Sequence, residues 1–257
     1  MPSNILTVYR PSIPSTKLIA KKVREESNEL EILKLLNNSQ SKSKHTILLF
    51  DSFQTQSKSW AIFPKLASVA AYFTHGPNEL YRKVTEVCWG LINGVAYLHG
   101  SRIAHRDIKP GNLLVDQNFF LKIIDFDIAM LVKDEDEEVD DQCGTKHWMA
   151  PEVEKKLRHS PIRADRWACG HVLLFLLDNL RTEDKPLRAF ARNLEVHDPK
   201  QRPPLSEWRR LSTLLLSDVG NVGDVQNVRR TKASRPRRGP MEVDDDNVRP
   251  AAKKQRL

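Results

Sequence analysis

His105-Arg106-Asp107-Ile108-Lys109-Pro110-Gly111-Asn112, followed by Asp125-Phe126-Asp127, decides the reading of this chain. The first stretch puts a carboxylate, an ammonium and a carboxamide in one loop. The second adds a carboxylate after Phe119-Phe120-Leu121-Lys122-Ile123-Ile124, whose aromatic and β-branched texture predicts a buried strand. Together they offer a base for a hydroxyl, a cation for a phosphate and two oxygen ligands for Mg²⁺, the parts that phosphoryl transfer from ATP requires.

A second block lies downstream. Cys143-Gly144-Thr145-Lys146-His147-Trp148-Met149-Ala150-Pro151-Glu152 contains an Ala-Pro-Glu motif, Asp165-Arg166-Trp167-Ala168-Cys169-Gly170 opens an apolar helix, and Arg202 sits in His197-Asp198-Pro199-Lys200-Gln201-Arg202-Pro203. With these motifs in this order, the chain resembles a eukaryotic-type serine/threonine protein kinase. The resemblance implies an α+β, two-lobed protein-kinase-like fold with a small β-rich N-lobe and a larger, mainly helical C-lobe. It implies Asp107 as the base for the acceptor hydroxyl, Lys109 beside the transferring phosphoryl group, and Asn112 and Asp125 as Mg²⁺ ligands. His105 is expected to pack on Phe126, and Glu152 to form a buried ion pair with Arg202. Lys109 and Thr145 match the serine/threonine type, so the implied substrate is a protein with a Ser or Thr acceptor.

Before Asp107 the resemblance thins. A glycine-rich loop normally lets backbone amides approach the ATP phosphates, yet this chain has no glycine before Gly76, and Met1–Lys17 holds three prolines. The expectation is that the phosphate-covering strands are missing or bind phosphate poorly. Ile19-Ala20-Lys21-Lys22 resembles the strand carrying the ATP lysine, with Lys22 the candidate and Lys21 its rival. Glu29 is the expected partner, on a short helix starting near Glu25, with Glu25 and Glu26 as competitors. Trp60-Ala61-Ile62-Phe63-Pro64-Lys65-Leu66 reads as a buried strand running into a hinge. Phe63 then guards the adenine pocket, Leu66 offers backbone groups to adenine, and Leu114 completes the set of ATP contacts.

Two further departures concern the large lobe. Asp127 stands where the family has glycine, adding negative charge near the metal ligand. Gly170 and Arg202 are close in sequence, so one or two peripheral helices are expected to be absent. Asp134-Glu135-Asp136-Glu137-Glu138-Val139-Asp140-Asp141 lies in a segment, 128–143, without Ser, Thr or Tyr. Asp140 or Asp141 is expected to pair with Arg106 in place of a phosphate, against the alternative of a solvated acidic loop.

Length and composition set the frame. A chain of 257 residues buries one core or two small lobes. No run of apolar residues is long enough to span a bilayer, and the N-terminus lacks a signal-peptide pattern. Cys88, Cys143 and Cys169 are odd in number and widely spaced, which points to a reducing compartment rather than disulfides or zinc. Half of the +8 net charge comes from Asp218–Leu257, with ten Lys/Arg against six Asp/Glu and few large apolar residues.

The expected organisation is therefore a kinase-like domain over 1–216, divided near 65, and a disordered basic tail over 217–257. Pro250-Ala251-Ala252-Lys253-Lys254-Gln255-Arg256-Leu257 resembles a nuclear-import signal, which implies an import receptor as partner and a nuclear or cytoplasmic location. The tail has no aromatic residues among its charges, which argues against nucleic-acid binding. Strands are predicted over Thr46–Ser52 and Lys58–Phe63. Asn78 is predicted to cap a helix to about Leu98, with Leu80, Val84, Val87, Cys88, Leu91, Ile92, Val95 and Leu98 on its core face. Val172–Leu177, apolar all round, should be the central buried helix. The leading function is ATP-dependent phosphorylation of protein Ser/Thr. The competing one is a scaffold that keeps the fold but turns over little ATP.

Overall fold

The computed structural model describes residues 5–10, 13–69, 79–179 and 183–213. Contacts divide the chain into Met1–Leu214 and Leu215–Leu257, and the description below concerns the first unit. The basic tail, its import-like end, the Asn78 cap and the Leu80 side chain lie outside the described residues.

The first unit opens with an antiparallel sheet. Strand β1 (Ile5–Arg10) pairs with β2 (Ile13–Val23), and β3 (Asp51–Gln54) and β4 (Ser59–Pro64) complete the order β1-β2-β4-β3. Among the described residues a single strand, β1, precedes the strand that carries Lys21, whereas a hairpin over the phosphates needs two, so the shortage of covering strands that the sequence leads one to expect stands for that part of the sheet. The ladder runs from Ile5↔Lys21 to Tyr9↔Lys17, then shifts register to Arg10↔Ile13, and Pro14 falls in the unpaired stretch between Ile13 and Lys17, where no paired amide is required.

Helix α1 (Glu29–Asn38) begins at Glu29 and not near Glu25. Its buried residues Glu29, Ile32, Leu33 and Leu36 recur at helical spacing and define one inward face. The predicted strand over Thr46–Ser52 is mostly irregular, with ladder pairing only from Asp51. Asn37 replaces a strand partner there: its amide donates to the Leu49 carbonyl at 2.6 Å and accepts from the Leu49 N–H at 3.1 Å.

The larger lobe is built on α2 (Glu79–Gly100). Val84, Val87, Cys88, Leu91, Ile92, Val95 and Leu98 of this helix are all buried, as their spacing predicts. Strands β5 (Ala67–Ser68), β6 (Ile103–Ala104), β7 (Leu113–Val115), β8 (Leu121–Ile123) and β9 (Met130–Leu131) form two small sheets, β5-β7-β8 and β6-β9. Gly94 lets α2 press against β8, because a Cβ there would come within 2.7 Å of the Ile123 side chain.

Three helices follow: α3 (Pro151–Glu154), α4 (Pro161–Asn179) and α5 (Lys185–Leu194). Residues 207–213 are also helical. In α4, Val172, Leu173, Leu176 and Leu177 are fully buried, while Leu174 and Phe175 are partly buried against the same core. The result is a two-lobed α+β, protein-kinase-like fold. The three cysteines are free, and among the described residues no helix is long and apolar enough to cross a membrane.

Candidate active site

The loop between β6 and β7 is held from beneath by α4. Asp165, 1 % exposed, accepts the backbone N–H groups of His105 and Arg106 at 2.6 and 2.8 Å. Those bonds fix Arg106 in the left-handed region, φ 70°, a conformation that a non-glycine residue keeps only when its surroundings hold it. His105 packs on Phe126 with ring centroids 5.0 Å apart, and its Nε2 lies 2.9 Å from the Ile124 carbonyl. Asp165 was read from sequence only as the start of a helix. Its role as the loop's anchor carries no local sequence signal, because its partners are some sixty residues away.

Asp107 lies at the centre of a polar cluster. The Lys109 ammonium donates to its Oδ2 at 2.6 Å, the Thr145 hydroxyl donates to its Oδ1 at 2.7 Å, and Asn112 Nδ2 donates to its Oδ2 at 3.0 Å. Lys109 also donates to the Thr145 hydroxyl at 2.6 Å. Burial opposes ionisation of Asp107, but the bonds from Lys109, Thr145 and Asn112 outweigh it and hold the carboxyl below its ordinary 3.8. Asp107 is therefore a carboxylate at neutral pH. The Asn112 nitrogen also reaches the Asp107 carbonyl at 2.9 Å, which commits the nitrogen and turns the amide oxygen to the other side.

The lysine of β2 requires a correction. Lys21, not Lys22, meets Glu29: its Nζ lies 2.7 Å from Glu29 Oε1 and 2.5 Å from Asp125 Oδ1. Strand alternation is the reason. Lys21 lies opposite Ala61 and shares a face with Ile19 and Phe63, whereas Lys22 lies opposite Trp60 on the other face, where Trp60 stacks on Phe53. Burial works against the Lys21 ammonium, yet Glu29 and Asp125 more than offset it and raise its pKa. Burial pushes the Glu29 carboxyl up; Lys21 offsets part of that, and Asp125 and Asp127 add to it. Glu29 also accepts the Phe126 N–H at 3.2 Å, linking α1 to the Asp125-Phe126-Asp127 segment. The Lys21→Met protein should lose about 10²-fold or more in kcat/KM for ATP, as expected when a preorganised charge is removed. Lys22→Met should stay within about twofold, and steady-state kinetics on both variants checks the assignment.

These groups border a cavity of about 240 Å³ between the two lobes. It is lined by Ile5, Ile19, Ile47, Phe63 and Leu114 on the apolar side and by Lys21, Glu29, Asn112 and Asp125 on the polar side. Phe63 and Leu114 both stand on its wall. The Leu66 side chain is not on the wall but packs against the neighbouring core, and Pro64 lines the cavity instead. Ile5 and Ile47 escaped the sequence reading, since apolar wall residues look like ordinary core. The donor set suits Mg²⁺, a hard cation bound through oxygen: one carboxylate, Asp125, and one amide oxygen, Asn112, leave further positions for water and phosphate. Asp127 meets Arg24 at 3.0 Å through one carboxylate oxygen.

The framework beyond the cavity is tied by ion pairs. Arg202 and Glu152 form the expected buried pair, bidentate at 2.5 and 2.8 Å, and Arg202 also donates to the carbonyls of Arg163 and Val196. The acidic run is tied down by ion pairs while most of its carboxylates stay exposed. Asp141 pairs with Arg106, Glu135 with Arg166, and Asp136 with Arg163 at 2.6 Å, while Val139 and His159 form a β-bridge. Of the two aspartates expected near Arg106, Asp141 makes the contact. Because Asp141 is half exposed, its pair is worth at most about 1 kcal/mol. Asp141→Lys should therefore lower phosphotransfer several-fold and Asp140→Lys should leave it unchanged, as measured by initial rates.

Comparison with known proteins places this geometry in a family. Residues 11–208 match the model of the protein kinase domain. The chain is 40% identical over 146 residues to the CBL-interacting serine/threonine-protein kinase 5 of Arabidopsis thaliana, covering 55% of this chain and 33% of that protein. It is 36% identical over 129 residues to the serine/threonine-protein kinase grp of Drosophila melanogaster, covering 49% and 25%. To the probable serine/threonine-protein kinase KCC4 of Saccharomyces cerevisiae it is 33% identical over 153 residues, covering 58% and 14%. The matched regions thus span a third or less of these relatives.

Proposed function

The chain belongs to the protein kinase family, and from that premise we propose that it transfers the γ-phosphoryl group of ATP to Ser and Thr hydroxyls of protein substrates, with Asp107 as the base. The observation that carries the proposal is the convergence of Lys21, Asn112 and Asp125 on the same cavity, with Asp107, Lys109 and Thr145 hydrogen-bonded beside Asn112.

Asp107, ionised at neutral pH, accepts the proton of the acceptor hydroxyl and orients its oxygen toward the phosphorus. Lys109 places its ammonium where charge gathers on the transferring group. Thr145 shapes the acceptor side of the site and helps hold the Asp107 carboxylate in one rotamer. Lys21, braced by Glu29, orients the phosphates. Asn112 and Asp125 would hold Mg²⁺, which when bound neutralises charge on the triphosphate. Ile5, Ile19, Phe63 and Leu114 exclude water around the base of the nucleotide.

Serine and threonine as acceptors are supported by Lys109 and Thr145 beside the base, and by the chain's similarity to serine/threonine-protein kinases. The test is incubation of the purified chain with Mg-ATP and a mixed protein substrate, followed by phosphoamino-acid analysis. Phosphoserine and phosphothreonine are expected, and phosphotyrosine alone, or no transfer, would overturn the proposal. A nuclear address is read from Pro250–Leu257 on composition alone. A fluorescent fusion lacking those residues should leave the nucleus.

A further inference from the structure

Away from the nucleotide cavity, the far side of α2 carries a larger depression. It encloses about 610 Å³ between the 41–45 segment, α2 and helix 207–213. Lys42, Lys44 and Arg209 border it, and no carboxylate does. Its apolar wall is Trp89, Leu205 and Trp208, with the two indoles edge to face at 5.8 Å. Two of its lining residues carry unused polar atoms: the Tyr97 hydroxyl and the Trp208 indole N–H are buried and have no partner among the described residues.

A second depression of about 510 Å³ adjoins the first, sharing Lys44, His45, Trp89 and Asn93, and continues along α2 to Lys83. Phe120 forms its end, with the Lys44 ammonium 4.4 Å above the ring centroid. The one carboxylate there, Glu86, is paired with Lys83 at 3.1 Å. From Lys83 to Tyr97 the helix rises about 21 Å. That is longer than a simple anion or metabolite needs and equals about six residues of extended chain.

We propose that this groove docks an extended acidic segment of another protein. Alternate residues of such a segment point to opposite faces. Apolar side chains on one face would seat against Trp89, the partly exposed indole of the groove, with Leu205 and Trp208 packed beneath it. Carboxylates on the other would meet Lys42, Lys44 and Arg209 at the rim. The proposal is independent of phosphoryl transfer, because the groove shares no residue with the nucleotide cavity.

The test is fluorescence anisotropy of a labelled peptide, Asp-Leu-Asp-Phe-Asp-Leu, titrated with the full chain without ATP. Saturable binding is expected. It should weaken roughly tenfold or more in the Lys42→Glu/Arg209→Glu protein, and to a lesser degree in Lys42→Gln/Arg209→Gln. Raising NaCl to about 0.5 M should also weaken it, since these cations are exposed. The matching Lys-Leu-Lys-Phe-Lys-Leu peptide should not bind, and Asp107→Asn should bind as the unsubstituted chain does. Equal affinity in the charge-reversed protein, no binding at about 1 mM, or full displacement by inorganic phosphate at matched ionic strength would each overturn the proposal.

Discussion

Replacing Asp107 with Asn should lower kcat for protein phosphorylation by roughly 10²–10⁴-fold while leaving the fold intact, the range that a positioned proton acceptor supplies. The substitution is nearly isosteric. With its oxygen in the Oδ2 position the amide still accepts from Lys109 and Asn112, its NH2 group faces the Thr145 hydroxyl and can donate to it, and the Asn112 bond to the residue-107 carbonyl is untouched. What disappears is the negative charge and the proton affinity. The KM for ATP should therefore change little, since Lys21, Asn112 and Asp125 are untouched.

The sign of the Asp107 shift also sets a pH expectation. A carboxyl held below 3.8 by its partners contributes stability that is complete above its unfolded value and is lost as the pH falls through the folded one. Over pH 6–8 the group stays ionised, so any slope in rate across that window belongs to another group. A catalytic loss in Asp107→Asn accompanied by a collapse in melting temperature would point to a structural role instead.

The second large effect concerns stability. Arg202→Ala should cost roughly 3–5 kcal/mol, because it leaves the Glu152 carboxylate unpaired in a buried position. For a unit of about two hundred residues that corresponds to a fall in melting temperature of roughly 6–20 °C. Arg202 is fully buried and ties three parts of the large lobe, through Glu152, the Arg163 carbonyl and the Val196 carbonyl. The double replacement Glu152→Leu/Arg202→Met should recover part of the loss, since no isolated charge remains. Thermal melts of the single and double variants, followed by circular dichroism, measure both quantities.

What the sequence made legible was what is encoded locally. Asp107, Lys109 and Asn112 share one loop, and Asp125 follows after a single strand, so their juxtaposition needs only a short hairpin of β7 and β8. The Glu152–Arg202 pair and the His105–Phe126 contact came from motif resemblance and stand as expected. The small lobe was read less well. Lys21 and Lys22 are adjacent, and a one-residue difference in strand register decides which faces the cavity; only the pairing of Lys21 with Ala61 settles it. The strand β1 was missed because Met1–Lys17 has prolines and no glycine, while its pairing with β2 depends on Lys17–Lys21. The start of α1 was placed too early, since three glutamates, Glu25, Glu26 and Glu29, offer the same local signal and only Glu29 is buried.

The acidic run shows the same limit from the other side. Its composition fits both a solvated loop and a docked one. The docked form depends on Arg106, Arg163 and Arg166, which lie outside the run and reach it only once α4 has packed. No window of sequence around Asp134–Asp141 contains that information.

The central claim is that Asn112 and Asp125 converge on one divalent ion and its nucleotide, with Asp107 held beside them through Asn112. Paramagnetic broadening of NMR signals by Mn-ATP tests it directly. The side-chain amide of Asn112 and the carboxyl carbons of Asp107 and Asp125 should broaden together on addition of Mn-ATP. The indole N–H of Trp208, on the far side of α2, should stay sharp. If the Asp107 and Asp125 signals respond separately, or persist unbroadened at saturating Mn-ATP, the account is wrong.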